Sequence, residues 1–263
     1  MVELLVVIAA VAFFIAVLSP SLQRFRQQSK AVLCSSNVKQ LIYGLLMYET
    51  ENRALPYSFC VKRDHNYKRI EPPGGYPGGK YDRKGWWWFN FIEGFYKESD
   101  HKRTVVQCPS KWLNDSMLKN NILCGNYGVN RSICKSFDER QPYREEFVGM
   151  PLNTSEITRP DETLLIVDSG YSMISWWQAM DKPPVALGSA IIEDTTYVPG
   201  LKINKERDLR SGQEWDAIYG RHPNKTVNVG FTDGHVSRKK ADDLLVEKTG
   251  DDYKNKSPLW VPQ

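Results

Sequence analysis

The feature that most constrains this chain is its start. From Leu4 to Leu18 there is no polar side chain, and the run stops at Ser19-Pro20. Together with Met1, Val2 and Glu3 it has about the 17–20 residues that span a bilayer as a helix. Val, Ile, Ala, Leu and Phe occupy every side of that helix, so it must be buried all round, in lipid or in a core. A cleaved secretory signal is a poor fit: no Lys or Arg precedes the run, and no small-residue cleavage site follows it. A retained single membrane anchor is the expectation. Glu3, the one charge at its edge, calls for a partner or for the headgroup region.

The rest of the chain is unlike this segment. Across 263 residues the mean hydropathy is −0.48 and 25% of residues are charged, as in an ordinary globular protein. Collagen-like, wholly disordered and polytopic membrane classes are excluded. Lys and Arg number 35 against 31 acidic residues, too small an excess for a nucleic-acid surface.

Beyond Pro20 no proline interrupts the chain until Pro56. Val38, Leu41, Ile42, Leu45 and Tyr48 fall on one helical face, with Arg24, Arg26, Lys30 and Lys39 along the more polar part. The pattern predicts one helix from about residue 2 to about residue 50. Its first part (1–20) would lie in lipid and its amphipathic second part (21–55) on a globular domain (56–263). Pro20 marks a kink or a boundary, since proline removes a helical hydrogen bond.

The order of Glu3, the apolar run Leu4–Leu18 and Pro20 resembles the N-terminal segment of type IV pilins and type II secretion pseudopilins. The stretch from Cys34 to Pro56, CSSNVKQLIYGLLMYETENRALP, is similar to the C-x-x-N-L-K-Q … Y … N … P run of a bacterial subgroup of that family. The subgroup also ends in an H-X9-DG segment. Here His222, Asp233, Gly234 and His235 match it, except that ten residues separate His222 from Asp233, as a one-residue insertion after His222 would produce. The resemblance implies an α+β, pilin-like fold: a long N-terminal hydrophobic helix packed on an antiparallel sheet with irregular insertions. It implies a structural subunit rather than an enzyme, anchored in the inner membrane with a periplasmic domain and assembled into a filament. Its partners would be other pilin-like subunits and the secretion or pilus machinery, with Glu3 balancing a neighbour's amine. The family's leader, ending in Gly, is expected upstream of Met1. The basic residues after the run would put that side in the cytoplasm by the positive-inside rule. The resemblance puts it in the periplasm, and that orientation is followed.

Within the globular part, TLLIVDSG (163–170) reads as a buried strand. VVQCPS (105–110), NYGVN (126–130) and VALGSAIIED (185–194) read as shorter ones. TVNVGFTDGHVSRK (226–239) reads as a hairpin with a two-residue Asp233-Gly234 turn, and KKADDLLVEKTG as a short helix ending at Gly250. Trp86, Trp87, Trp88 and Phe89 are expected in the core rather than as a stacking platform.

Five cysteines, Cys34, Cys60, Cys108, Cys124 and Cys134, form no C-x-x-C pair. In an oxidising compartment Cys124 with Cys134 and Cys34 with Cys108 are candidate disulfides; five buried thiols are the alternative. No cofactor is called for. The one candidate metal set is Asp168, His222, Asp233 and His235, able to hold a divalent cation. Two rival functions follow from the residues: a membrane-tethered module binding a glycan or surface partner, suggested by the aromatic-rich loops, and a metal-dependent hydrolase using those four residues.

Overall fold

A computed structural model describes residues 2–80, 82–95, 105–137, 146–180 and 196–262. Helix α1 runs without interruption from Val2 to Asn52 and passes through Pro20. At 1.5 Å per residue it is about 75 Å long. The two parts read from the sequence are therefore one rod. No residue from Val2 to Lys30 is buried. Burial begins at Ala31 and continues through Cys34, Val38, Leu41, Ile42, Leu45 and Glu49, the expected stripe with Tyr48 half-buried at its end.

That buried stripe lies on a five-stranded sheet. The strands are β3 (Tyr127–Asn130), β4 (Leu164–Asp168), β5 (Met173–Ile174), β6 (Thr226–Phe231) and β7 (Val236–Lys240), in the order β5-β3-β4-β6-β7. All neighbours are antiparallel except β3 and β5. The expected antiparallel sheet is thus a mixed one. The chain leaves β4 at Ser169-Gly170, crosses the end of β3 and pairs on its far side, where it runs parallel to β3. Every residue of β4 is buried, because both sheet faces are covered. On one face Ile42 and Leu45 of α1 join Tyr127, Val129 and Ile166, together with Trp87, Trp88 and Ile92. On the other, Val167, Val227, Val229 and Phe231 meet Trp176, Leu201, Leu244 and Trp260.

The aromatic run forms a two-residue strand pair, β1 (Phe59–Cys60) with β2 (Trp86–Trp87), and a one-turn helix α2 (Trp88–Ile92). Trp87, Trp88 and Phe89 are core residues. Two further short helices are α3 (Ser116–Asn120), capped by the Asp115 carboxylate, and α4 (Glu214–Tyr219), ended by Gly220 at φ 78°.

Three local expectations change. VVQCPS forms a turn, not a strand: the Cys108 N–H donates to the Asn126 side chain, and Pro109 has no N–H for a ladder. Between β6 and β7 the Phe231–His235 pair closes a three-residue loop, Thr232-Asp233-Gly234. Phe231 N–H donates to His235 O, Gly234 N–H donates to Phe231 O, and Gly234 sits at φ 92°, the three-residue loop that ends in a left-handed residue. The expected terminal helix is a single 3-10 turn (Ala241–Leu244) followed by a hairpin of β8 (Glu247–Thr249) and β9 (Asp252–Lys254). Leu244, Leu245 and Val246 are buried in succession, which no helical face allows, and Gly250 at φ 64° turns the hairpin instead of capping a helix. The strand expected over 185–194 lies outside the described residues.

Candidate functional site

Two regions carry chemistry or unsatisfied surface: the free half of α1, and a buried cluster where α1 meets the sheet.

The free half begins with Glu3 in the first turn of α1. Leu5, Ile8, Phe13, Phe14 and Leu18 are each at least 57% exposed. The helix is long and apolar enough to cross a membrane by length and composition, and none of its most apolar stretch touches the domain. Pro20 leaves the Ala16 carbonyl without its helical donor, yet the helix continues.

The cluster is assembled from four places. Cys34 is on the buried stripe of α1. Cys108 is in the 105–110 turn, pinned where Asn37 Nδ2 donates to Gln107 O at 3.2 Å and Cys108 N–H to Asn126 Oδ1 at 2.9 Å. Asp168 ends β4. His222 follows α4, and its position is set by Arg221. That guanidinium is fully buried; it grips both Asp216 oxygens and donates to Asn126 O and Ser169 O at 2.7 Å each. Tyr197 Oη and Trp112 N–H also donate to Asp216.

Within the cluster the Cys34 and Cys108 sulfurs are 2.9 Å apart, and Ser110 Oγ is 3.7 Å from Cys34 Sγ. His222 Nε2 lies 3.1 Å from Asp168 Oδ2, which also accepts the Asn228 N–H at 2.6 Å. His222 Nδ1 is buried and meets no group in hydrogen-bonding geometry; the Cys108 thiol is a close neighbour of the ring and adds to its basicity. One atom each of Cys34, Cys108 and His222 lies within 4.8 Å of the others.

The electrostatics follow from this packing. Burial pushes the Cys108 thiol well up, the bond to Cys34 adds to that, and His222 pulls the other way. Burial also acts to raise Cys34, but its bonds to Cys108, Ser110 and Tyr127 outweigh it and leave this thiol below its ordinary value. Burial disfavours a charged His222, yet the Asp168 carboxylate beside it lifts the imidazole to about 9. Asp168 is raised by burial and pulled down further by His222, for a net fall.

A cleft of about 440 Å³ opens beside the cluster, lined among others by Lys30, Ser110, Lys111, Trp112, Arg221 and His222. On its rim Trp112, Trp215 and Tyr219 form an exposed stack, with ring centroids 5.5 and 4.5 Å apart.

The metal set read from the sequence divides. Asp168 and His222 meet. Asp233 and His235 pair with each other at 2.7 Å on the partly exposed β6–β7 turn, beyond the opposite end of β6 from His222. A six-residue strand, roughly 17 Å long, keeps the two pairs apart. Cys34 and Cys108 come together, as free thiols rather than as a disulfide. Cys124 and Cys134 do not: they flank the two ends of β3, about 10 Å of extended chain, beyond the roughly 7 Å Cα limit for a disulfide.

The C-terminal motif residues have structural tasks. Gly234 O accepts the Lys39 ammonium of α1 at 2.6 Å, and the His235 ring stacks on Phe231 at 4.3 Å. The loop after His222 holds two consecutive left-handed residues, Asn224 and Lys225, at the place where the extra residue of the motif was expected.

No family model, no curated protein and no solved structure matches this chain.

The sequence named His222 and Asp168 for a site but gave them partners from the wrong end of β6. It linked Cys34 to Cys108 only as a disulfide pair. Arg221 and Asp216 gave no signal, because a charged pair five residues apart on a short helix end reads as solvated surface.

Proposed function

We propose that this chain is a structural subunit of a type IV pilus-like or type II secretion pseudopilus assembly, held in the inner membrane by α1 with its sheet domain on the periplasmic side. The observation that carries the reading is the division of α1 at Ala31. One continuous helix is buried along 31–49 and wholly uncovered along 2–30. Residues 4–18 expose an apolar surface on all sides, which water does not tolerate and which lipid or a bundle of like helices satisfies. The resemblance of Glu3, Leu4–Leu18 and Pro20 to the pilin N-terminus supports the same reading, as does an α+β domain packed on the second half of the helix. Chemistry is not the task in this reading. Subunits leave lipid and bundle their helices, with Glu3 set against a neighbour's amine.

The test expresses the chain with its native upstream sequence in its host and asks where it goes. Membrane fractionation, followed by lateral cross-linking through single cysteines placed on residues 5–18, should give ladders of like subunits. A chain that fractionates with soluble protein and gives no ladder overturns the assignment. Glu3→Gln should lower ladder yield while leaving membrane insertion intact; unchanged assembly removes the charge-pairing role.

A second reading, a tethered glycan-binding module, rests on a specific feature. The exposed Trp112–Trp215–Tyr219 stack beside a cleft holding Lys30, Lys111 and Arg221 has the flat apolar faces on which sugar rings pack. Retention of a polysaccharide by the wild type and its loss in Trp215→Ala would favour this reading; equal retention by both would dismiss it.

A further inference from the structure

We propose that Cys34 Sγ, Cys108 Sγ and His222 Nδ1 form a binding site for one borderline-soft divalent cation, zinc foremost, with Asp168 orienting the histidine from behind. The inference stands independently of the filament reading. Four observations meet here.

The first is the donor set. Two thiolates and an imidazole select zinc-like ions, whereas calcium and magnesium take oxygen. The second is His222 itself. Its Nε2 is taken up by Asp168, so Nδ1 is the nitrogen left for the sulfurs. It is buried and without a hydrogen-bond partner. A carboxylate holding one nitrogen of a histidine while the other faces a metal is the usual second-shell arrangement, and once the cation displaces the Nδ1 proton the remaining proton stays on Nε2, toward Asp168.

The third observation is the sulfur separation. The two sulfurs are neighbours already, 2.9 Å apart, although one is on α1 and the other in the 105–110 turn. Tetrahedral zinc, with Zn–S near 2.3 Å, holds two sulfurs about 3.8 Å apart, a parting of roughly 0.9 Å. An S–S bond is the competing fate of this pair, and it would give His222 Nδ1 no ligand to meet. The fourth is access: His222 and Ser110 line the cleft, and Ser110 Oγ is 3.7 Å from Cys34 Sγ. Binding exchanges the two thiol protons and any proton on Nδ1 for the cation, so the cation and its three ligands sum to neutral beside the Asp168 carboxylate.

The experiment uses the full chain in detergent, reduced and stripped with a chelator, then titrated with Co²⁺ and competed with Zn²⁺. One equivalent should bind with a thiolate-to-cobalt charge-transfer band and tetrahedral d–d bands, and Zn²⁺ should displace it. Cys34→Ser and Cys108→Ser should each lose the charge-transfer intensity of one sulfur. Asp168→Asn should keep the stoichiometry and spectrum while weakening affinity by about 10–100-fold. If Cys108→Ser does not fold, as judged by circular dichroism, Cys34→Ser decides from the helix side. A wild type without the charge-transfer band, or a band unchanged in Cys34→Ser, overturns the site. So does a chain isolated with a Cys34–Cys108 disulfide that binds no Co²⁺ after reduction; one that loads after reduction supports the site.

Discussion

Gly230 has no side chain for a concrete reason. A Cβ there would lie 2.8 Å from Ile166 Cγ2 and closer still to Ile42 Cδ1. The gap in β6 is the notch into which Ile42 of α1 settles. Gly230→Ala should cost about 1–3 kcal/mol by overpacking, read as a lowered urea midpoint with an unchanged slope. A second residue-scale prediction concerns the buried thiols. Burial pushes Cys60 up to about 11 and Cys124 up to about 12, against about 8.5 in an unfolded chain. Above pH 8.5 the unfolded state sheds protons that the folded state keeps. Stability is therefore full below that pH and falls as pH rises toward 11, at about 1.4 kcal/mol per unit for each thiol. Urea melts at pH 8 and pH 10 should separate, and the separation should shrink in Cys60→Ala. The Arg221–Asp216 pair is a third case. Asp216→Asn leaves the Arg221 charge buried and unpaired, and should cost about 3–5 kcal/mol in the same measurement.

At the scale of elements, α1 is fastened midway along its buried stripe and at the end of it. Lys39 donates to the β6–β7 turn. Near the C-terminus the buried Glu49 carboxylate accepts the Thr154 N–H at 2.5 Å and its hydroxyl at 2.8 Å. Glu49→Ala strands that N–H and should cost about 1–3 kcal/mol, with the last turn of α1 exchanging its amides faster. The elements legible beforehand were those with one dominant period. α1 declared itself through a continuous apolar run and then a 3.6-residue stripe, β4 through LLIVD, and β6 through alternating Val227, Val229 and Phe231. The elements that misled depended on distant partners. Cys108 is in a turn because Asn126 takes its N–H. Leu244 to Val246 abandon helix because Ala179 and the Trp260 layer receive them. The site was half legible for the same cause. His222 and Asp168 stood out by residue type, but their closeness to Cys34 and Cys108 depends on how α1 lies across the sheet, and no local spacing records that.

At the scale of the molecule, the domain does not use the first thirty residues for its own core. A chain beginning at Gln28 should therefore keep the domain's thermal midpoint within about 1 °C of the full chain in detergent, since no described residue that it removes is buried, and should remain in solution without detergent. A large fall in the midpoint would mean that the free half of α1 packs on the domain after all.

The continuity of α1 also has a mechanical side. A subunit drawn out of a bilayer by its helix is loaded along the rod axis. That load reaches the sheet through contacts strung along the rod: the Cys34 cluster, Lys39 at the turn, Ile42 in its notch and Glu49 at the far end. Pulled lengthwise, these contacts share the force and must slip together, whereas a helix lifted sideways would release them one after another. Under such a pull the domain would follow the helix as one piece, and a cation between Cys34 and the Cys108 turn would sit at the first rivet to take the strain.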